Sequence, residues 1–266
     1  MLSIEFIGIP GAGKSHIKEN FIDLLKNVDR EKYITAEEAF LQVSKIKMDK
    51  IYRFILKSLP HEIALKFSDK LINRSYMQYD AQNRFLSKWG KSLEVFLSSP
   101  EYEEMAIDDR EIRISVFLNT GAMYECINCS IHESKVVFFD ELFVQKSFIF
   151  VSHLIDQSVK GSGLSSYLDH IPLSNVIVYV KADINLCYER MLSRERGVIR
   201  ILKGAGKEDI LKFLKVADEH MASVVNWLKK RKDVVLFEIE NENDLDRVIK
   251  DLENKILTIV GKNKTV

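Results

Sequence analysis

The chain has 266 residues, of which 46% are hydrophobic and 29% are charged, and this composition is typical of a globular protein with one large domain. Its 39 basic and 39 acidic side chains cancel, which excludes a general attraction to nucleic acid or to an anionic membrane. Three cysteines, no run of 18 apolar residues and an N-terminus that does not read as a secretory leader predict a cytoplasmic protein that binds neither nucleic acid nor membranes.

The first segment predicts a strand, a glycine-rich loop and a helix. Residues 2–7 alternate toward a fully apolar end, as a strand that enters a core does. Residues 8–15 read Gly-Ile-Pro-Gly-Ala-Gly-Lys-Ser and fit G-x-x-x-x-G-K-[ST], the phosphate-binding loop of P-loop proteins. Apolar residues then recur at helical spacing from residue 17 to residue 28. This is the order of elements that the loop requires.

The chemistry of the loop predicts that it binds the phosphates of ATP. Glycines let successive N–H groups point inward, Lys14 adds a mobile positive charge, and Ser15 offers a hydroxyl to Mg²⁺. The start of the following helix favours an anion at the same place. We expect the phosphates to contact Gly8, Pro10, Gly11, Ala12, Gly13, Lys14, Ser15 and His16.

A short second strand is predicted within residues 31–36, and two acidic residues, Glu37 and Glu38, follow it. From about residue 38 to residue 132 the apolar pattern is helical, with breaks at Pro60 and Pro100. This stretch predicts a helical insertion within a single domain over residues 1–266.

Residues 136–139 form an unbroken apolar run that predicts a strand covered on both faces. Asp140 and Glu141 follow it directly, and a helix is predicted over residues 142–160. In P-loop proteins an acidic residue at this place reaches Mg²⁺, which we assign to Asp140. Glu141 is placed to orient a nucleophile or to accept a proton.

The C-terminal part predicts a strand at residues 176–180, a helix capped by Asp183, a long helix from residue 210, a strand at residues 234–237 and a last helix. Between residues 190 and 207 there are six basic side chains and one acid, which predicts a basic lid for a transferring phosphoryl group. Arg190 and Arg194 share one helix face, and Arg196 follows them. Because strands alternate with helices, the sheet should be parallel, with ligands at its carboxyl edge.

These segments resemble the P-loop kinases of nucleosides, nucleotides and related small molecules, particularly the thymidylate kinase and deoxynucleoside kinase types. The resemblance lies in residues 8–15, in residues 139–141 and in residues 180–196. It implies a three-layer α/β fold with a five-stranded parallel sheet, ATP with Mg²⁺ as cofactors, and an acceptor site under the helical region. In such enzymes a glutamate after the second strand acts as base, and arginines of the helical region grip an acceptor phosphate; the matching residues here are Glu37 or Glu38, and Arg84, Arg110 and Arg113.

The sequence therefore predicts an ATP-dependent kinase that moves the γ-phosphoryl group to a nucleoside, a nucleotide or a sugar-like metabolite. A regulatory ATPase, whose nucleotide switches the binding of a protein partner, is the alternative. ATP is favoured over GTP because residues 180–183 lack the asparagine of the guanine-reading pattern. The sequence does not decide whether the base is Glu37, Glu38 or Glu141, nor whether the protein is a monomer or a homodimer.

Overall fold

The structure is a computed structural model that describes residues 1–47, 50–65, 76–151, 163–194, 197–199, 202–241 and 245–262. At its centre lies a five-stranded sheet in the order β2-β3-β1-β4-β5, in which every pair of neighbours is parallel. The strands are β1 Leu2–Ile7, β2 Tyr33–Thr35, β3 Val136–Phe139, β4 Val176–Lys181 and β5 Val235–Glu240. The predicted α/β fold class with a five-stranded parallel sheet is confirmed.

The three central strands are buried because helices cover both faces of the sheet. All four residues of β3 are buried, as are the last five residues of β1 and the first five of β4. In the register, Glu5 of β1 lies opposite Phe139 of β3, and Ile7 lies opposite Tyr179 of β4. The chain that leaves β1 therefore emerges between the carboxyl ends of β3 and β4.

Helices connect the strands, as the parallel order requires. In the part of the chain that the structure describes, they include α1 Lys14–Asp29, α2 Ala36–Lys47, α3 Lys50–Ser58, α4 Tyr76–Leu97, α5 Pro100–Glu103, α6 Ile107–Asn128, α7 Phe143–Lys146, α8 Leu164–Asp169, α9 Ile184–Leu192, α10 Lys207–Leu228 and α11 Leu245–Lys262. Residues 61–65 are also helical, and a 3₁₀ turn over Ser147–Phe150 follows α7. Of the helix predicted over residues 142–160, residues 152–162 lie outside the described residues.

Between β2 and β3 the described chain is helical, as the sequence pattern predicts. Helices α4 and α6 pack tightly, because Gly121 lacks a side chain where the ring of Phe85 crosses it. The Phe85 ring also stacks on Phe143 of α7 at 5.1 Å, so the helical region is packed onto the segment that follows β3. Among the described residues, no helix is both long enough and apolar enough to cross a membrane.

Candidate nucleotide-binding site

The glycine-rich loop connects the end of β1 to α1 and takes a backbone path that favours glycine. Gly11 and Gly13 have φ angles of 87° and 91°, in the left-handed region that other residues rarely adopt. A Cβ atom on Gly11 would lie 2.3 Å from the carbonyl oxygen of Cys187, and one on Gly13 would lie 2.3 Å from Nδ2 of Asn241. Neither position can therefore carry a side chain, and the loop lies directly against α9 and the residue after β5.

Lys14, the first residue of α1, points back into the loop. Its Nζ donates hydrogen bonds to the carbonyl oxygens of Gly8, at 2.8 Å, and Ile9, at 3.2 Å. The pKa of Lys14 is lowered to about 8, mainly because the ammonium group is buried and also because the positive charge of Arg194 is near. The ammonium group is therefore held over the inner face of the loop, where an anion would meet it.

Two carboxylates lie close enough to Lys14 to act on its charge. Glu141 and Asp140, which follow β3, both favour the protonated amine and so partly offset the lowering of its pKa by burial. The structure thus brings together three residues that the sequence analysis assigned to the site. Their elements are separate in the sequence, and the parallel sheet places their ends side by side.

Asp140 has a partner that the sequence analysis missed. Nζ of Lys18, one turn beyond Lys14 on α1, lies 3.0 Å from Oδ2 of Asp140. The Lys18 side chain is 7% exposed, whereas that of Asp140 is 40% exposed. A charged residue among the apolar positions of α1, beside Ile17 and Phe21, is the sequence signal that would have pointed to it.

A second missed contact comes from the residue after β5. Nδ2 of Asn241 donates to the carbonyl oxygen of Ala12 at 2.7 Å, and the Asn241 backbone N–H donates to the carbonyl oxygen of Lys181 at 2.7 Å. Nη1 of Arg190, on α9, donates to the carbonyl oxygen of Asn241 at 3.3 Å. Arg190 therefore lies against the loop through Asn241.

The rest of the predicted basic lid is described in part. Arg194 follows α9 and is placed near Lys14 by its effect on that amine, whereas Arg196 lies outside the described residues. Nζ of Lys207, at the start of α10, lies 5.5 Å from the centre of the Tyr188 ring. Two of the three predicted lid arginines are thus located on the side of the loop that faces α9.

A buried network behind the loop involves two further residues that the sequence analysis missed. Gln145 exchanges two hydrogen bonds with Gly8, and its own backbone N–H donates to Oε1 of Glu5 at 2.9 Å. Glu5 is fully buried on β1 and also accepts from the N–H of Leu142 at 3.1 Å. Burial raises its pKa to about 7, although the two backbone hydrogen bonds lower it. The sequence signal that would have pointed to Glu5 is a carboxylate within an otherwise mostly apolar strand.

Ser15 and His16 lie in the first turn of α1, directly after the loop, and both are exposed. The side chain of His16 lies beside Asn20, whose Nδ2 is 3.4 Å from Nδ1 of the ring and 2.8 Å from the His16 carbonyl oxygen. Ser15 is therefore accessible to a ligand bound in the loop. The His16 ring instead contacts Asn20 of its own helix.

The two candidate bases after β2 differ in their surroundings. Glu37 is exposed in the first turn of α2. Glu38 accepts from Nζ of Lys26 at 2.7 Å and from the N–H of Thr35 at 2.9 Å. Burial by itself would raise the pKa of Glu38, but these hydrogen bonds lower it below its ordinary value. Glu38 is therefore a helix-capping carboxylate with its charge stabilised.

The three arginines assigned to an acceptor lie on α4 and α6 and have local contacts. Arg84 pairs with Asp80 on the same helix. Arg110 donates from Nε to the carbonyl oxygen of Met105 at 2.8 Å and from Nη2 to that of Glu103. Burial lowers the pKa of Arg113, and the charge of Asp109 opposes this.

A protein-built metal cage is not present among the described residues, where no three His, Cys, Asp or Glu side chains cluster. This fits Mg²⁺ bound with a nucleotide, because that ion usually takes one or two protein ligands and completes its shell with phosphates and water. Asp140, with its partly exposed carboxylate at the end of β3, and the exposed hydroxyl of Ser15 suit such a site.

Comparison with protein-family models finds no match, and comparison with curated proteins finds none either. Two solved structures share the fold. A deoxyadenosine kinase from M. mycoides is 12% identical, with a TM-score of 0.50 over 97% of this chain and 100% of that one. A thymidylate kinase from Candida albicans is 12% identical, with a TM-score of 0.51 over 97% of this chain and 91% of that one. The predicted resemblance is confirmed as a likeness of fold: the chain folds as the P-loop nucleoside and nucleotide kinases do.

Proposed function

We propose that the protein is an ATP-dependent phosphotransferase that moves the γ-phosphoryl group of ATP to a small acceptor. The observation that carries this proposal is the placement of Lys14, Asp140 and Glu141 around one glycine-rich loop at the carboxyl edge of the sheet. The kinase fold of two solved structures supports the same reaction class.

The loop and Lys14 bind and orient the triphosphate in this proposal. Backbone N–H groups at a loop followed by a helix N-terminus stabilise phosphate oxygens. Nζ of Lys14 now rests on the carbonyl oxygens of Gly8 and Ile9, and it turns from them to the β- and γ-phosphates when ATP binds. An anion also favours the protonated amine, so nucleotide binding raises the lowered pKa of Lys14.

Ser15 and Asp140 would hold Mg²⁺ with the nucleotide. When bound, the ion neutralises charge on the β- and γ-phosphates. Nζ of Lys18 lies 3.0 Å from Oδ2 of Asp140, and this ion pair restrains the carboxylate at the end of β3. The chain would thus supply a hydroxyl and a restrained carboxylate to the ion.

Among the candidate bases, we propose Glu141 as the group that accepts the proton of the acceptor. It follows β3 directly, and its charge acts on Lys14, the residue that would contact the phosphates. Glu38 is a weaker candidate because Lys26 and Thr35 already bind its carboxylate. Glu37 is exposed and remains the alternative base.

Arg190 and Arg194, together with Arg196, form the lid in this proposal. Their positive charges would meet the negative charge that spreads over the oxygens of the transferring phosphoryl group. Arg194 already acts on Lys14, and Arg190 lies on the loop through Asn241. The resemblance assigns Arg84, Arg110 and Arg113 to the acceptor side, but the local partners of Arg84 and Arg110 argue against a strong role there.

The names of the two structural neighbours make nucleosides and nucleotides the first acceptors to test, with sugars as a third class. The experiment is a panel of acceptors with coupled detection of ADP, run with ATP and with GTP. A kinase gives acceptor-dependent ADP and a phosphorylated acceptor that mass spectrometry identifies. An ATPase switch gives ADP at a rate that no acceptor changes. Absence of Mg²⁺-dependent binding of any purine nucleotide would contradict both functions.

A further inference from the structure

Gln145 forms two hydrogen bonds with the same residue of the loop. The backbone N–H of Gly8 donates to Oε1 of Gln145 at 2.9 Å, and Nε2 of Gln145 donates to the carbonyl oxygen of Gly8 at 3.1 Å. Gln145 is 6% exposed and both bonds are buried. The amide side chain thus meets a donor and an acceptor at once, and it fixes the orientation of the two peptide groups on either side of the Gly8 Cα atom.

The position of Gly8 explains why it needs such a partner. Pairing of β1 with β3 extends only as far as Glu5 and Phe139, so at Gly8 the neighbouring strand has already ended. Buried backbone groups without a hydrogen-bond partner destabilise the fold. Gln145, which comes six residues after β3, supplies the hydrogen bonds that a continued strand would have made.

Gln145 is itself held from behind. Its backbone N–H donates to Oε1 of Glu5, and the N–H of Leu142 donates to the same oxygen. Glu5 lies on β1, three residues before Gly8. The hydrogen bonds therefore connect β1 to α7, and α7 to the loop that follows β1. The segment between β3 and α7 also carries Asp140 and Glu141, so these hydrogen bonds link the acidic pair to the loop.

The Gly8 carbonyl oxygen has two donors, Nε2 of Gln145 and Nζ of Lys14. When Lys14 turns to a phosphate, Gln145 still satisfies this oxygen, so the exchange leaves no buried acceptor unpaired. Without Gln145, Lys14 would be the remaining side-chain donor to the Gly8 carbonyl oxygen among the described residues, and its departure would leave that oxygen without a side-chain partner.

We propose that Gln145 is a positioning residue of the phosphate site, which keeps the first peptide of the loop in its binding orientation and lets Lys14 leave it. The proposal rests on the proposed nucleotide-binding function and adds a residue that acts through Gly8 rather than on the phosphate itself. Gln145→Met removes both hydrogen bonds at similar side-chain volume. Gln82→Met is the matched control, because Gln82 lies on α4 and bonds to Asn119 away from the loop.

The first measurement needs no nucleotide. Labelling with ¹⁵N-glycine leaves eleven glycine amides to follow, and hydrogen exchange is measured at that of Gly8. We expect exchange at Gly8 to be about tenfold or more faster in Gln145→Met than in the wild type or in Gln82→Met. Equal exchange in all three proteins would show that Gln145 does not hold the loop.

The second measurement is the affinity for Mg²⁺-ADP by calorimetry. We expect Gln145→Met to weaken it about 10–100-fold and Gln82→Met to leave it unchanged. The ligand-free Gln145→Met protein should still unfold cooperatively, at a lower midpoint because Gly8 has lost both hydrogen bonds to Gln145. Equal affinity of Gln145→Met and the wild type would overturn the proposal while the nucleotide function stands. If the wild type binds no nucleotide, the proposed function fails, and the exchange of Gly8 still tests the contact.

A conservative variant separates positioning from general packing. A protonated carboxyl has the donor and the acceptor that the amide has, whereas a carboxylate has no donor. The charged groups around the position are Glu5 on β1, Lys14 on α1, Glu141 just before α7 and Lys146 at the end of α7. Because the position is 6% exposed and lies beside the buried Glu5, burial should raise the pKa of a glutamate placed there. We therefore expect the ADP affinity of Gln145→Glu, as a ratio to the wild type at the same pH, to recover as the pH falls from about 8.5 to about 5.5. A ratio that does not change with pH would contradict the proposal.

Discussion

The charged residues of the phosphate loop and two arginines of the helical region, Arg84 and Arg110, are held by different kinds of contact. Around the loop, Lys14 and Asp140 belong to elements distant in the sequence, and buried side chains such as Gln145 hold the backbone in place. In the helical region, Arg84 pairs with Asp80 on the same helix, and Arg110 donates to carbonyl oxygens five and seven residues before it. The first arrangement exists only when the whole sheet is folded, whereas the second depends on contacts that are local in the sequence.

This contrast indicates where function is concentrated. Burying a charged side chain costs free energy of desolvation. A charged residue that long-range contacts hold in a partly buried place is therefore expected to serve a ligand or the fold. A charge paired along one helix surface contributes little, about 0–1 kcal/mol, and has no need of a ligand. We therefore expect substitutions at the loop to affect nucleotide chemistry strongly, and those at the helical arginines to affect it weakly.

Lys14→Ala is the largest test of this contrast. We expect the rate of acceptor phosphorylation to fall by about 10²–10³ or more, by analogy with the loss of one donor that stabilises the transition state. Coupled detection of ADP measures the rate, and thermal unfolding should show that the fold survives. Lys229→Ala is the control, since that surface lysine pairs with Glu238 at 2.8 Å, away from the loop. Retained activity of Lys14→Ala would argue strongly against a phosphotransferase.

Asp140→Asn tests the acidic side of the loop. We expect the Mg²⁺ concentration needed for half-maximal activity to rise about 10–100-fold, because the carboxylate would hold the ion or its water shell. Lys18→Met is the partner variant, since it removes the same 3.0 Å ion pair but keeps the carboxylate. An equal effect of both variants on the Mg²⁺ requirement would assign Asp140 to the ion pair alone.

Glu5→Gln tests the buried side of the loop through pH. The pKa of Glu5 is raised from 4.5 to about 7 in the folded protein, so folding favours its protonated form. The stability from this group is fully present below about pH 4.5 and is lost as the pH rises through about 7. We expect Glu5→Gln, which stays neutral, to gain about 1–3 kcal/mol in unfolding free energy relative to the wild type between about pH 5 and about pH 8.5. Chemical denaturation at both values measures this, and parallel pH profiles would show that Glu5 is charged in the fold.

Arg84→Ala is the smallest expected effect and the one that can break the contrast. Its exposed pair with Asp80 should change the unfolding free energy by only about 0–1 kcal/mol. We expect the KM for the acceptor to change less than about fivefold. A much larger rise in KM, with kcat preserved, would place Arg84 at the acceptor and give the helical region the same functional weight as the loop.

The sequence determined most of the fold because apolar runs and glycine patterns are local. The runs at β1, β3 and β4 predicted buried strands, and the loop motif predicted the turn between β1 and α1. The predicted strand at residues 234–237 covers only the apolar first half of β5. The strand continues to Glu240 because it lies at the edge of the sheet, where exposed glutamates alternate with inward residues.

By itself, the sequence determined which residues have the chemistry to bind phosphate and metal. Only the tertiary structure decided which side chains hold the loop in place. Gln145 bonds to Gly8, which is 137 residues away in the sequence, and Asn241 bonds to Ala12, which is 229 residues away. No periodicity or spacing carries such a pairing, because it arises when parallel strands bring distant carboxyl ends to one edge of the sheet. There, buried backbone groups take whichever side chain lies within hydrogen-bond distance.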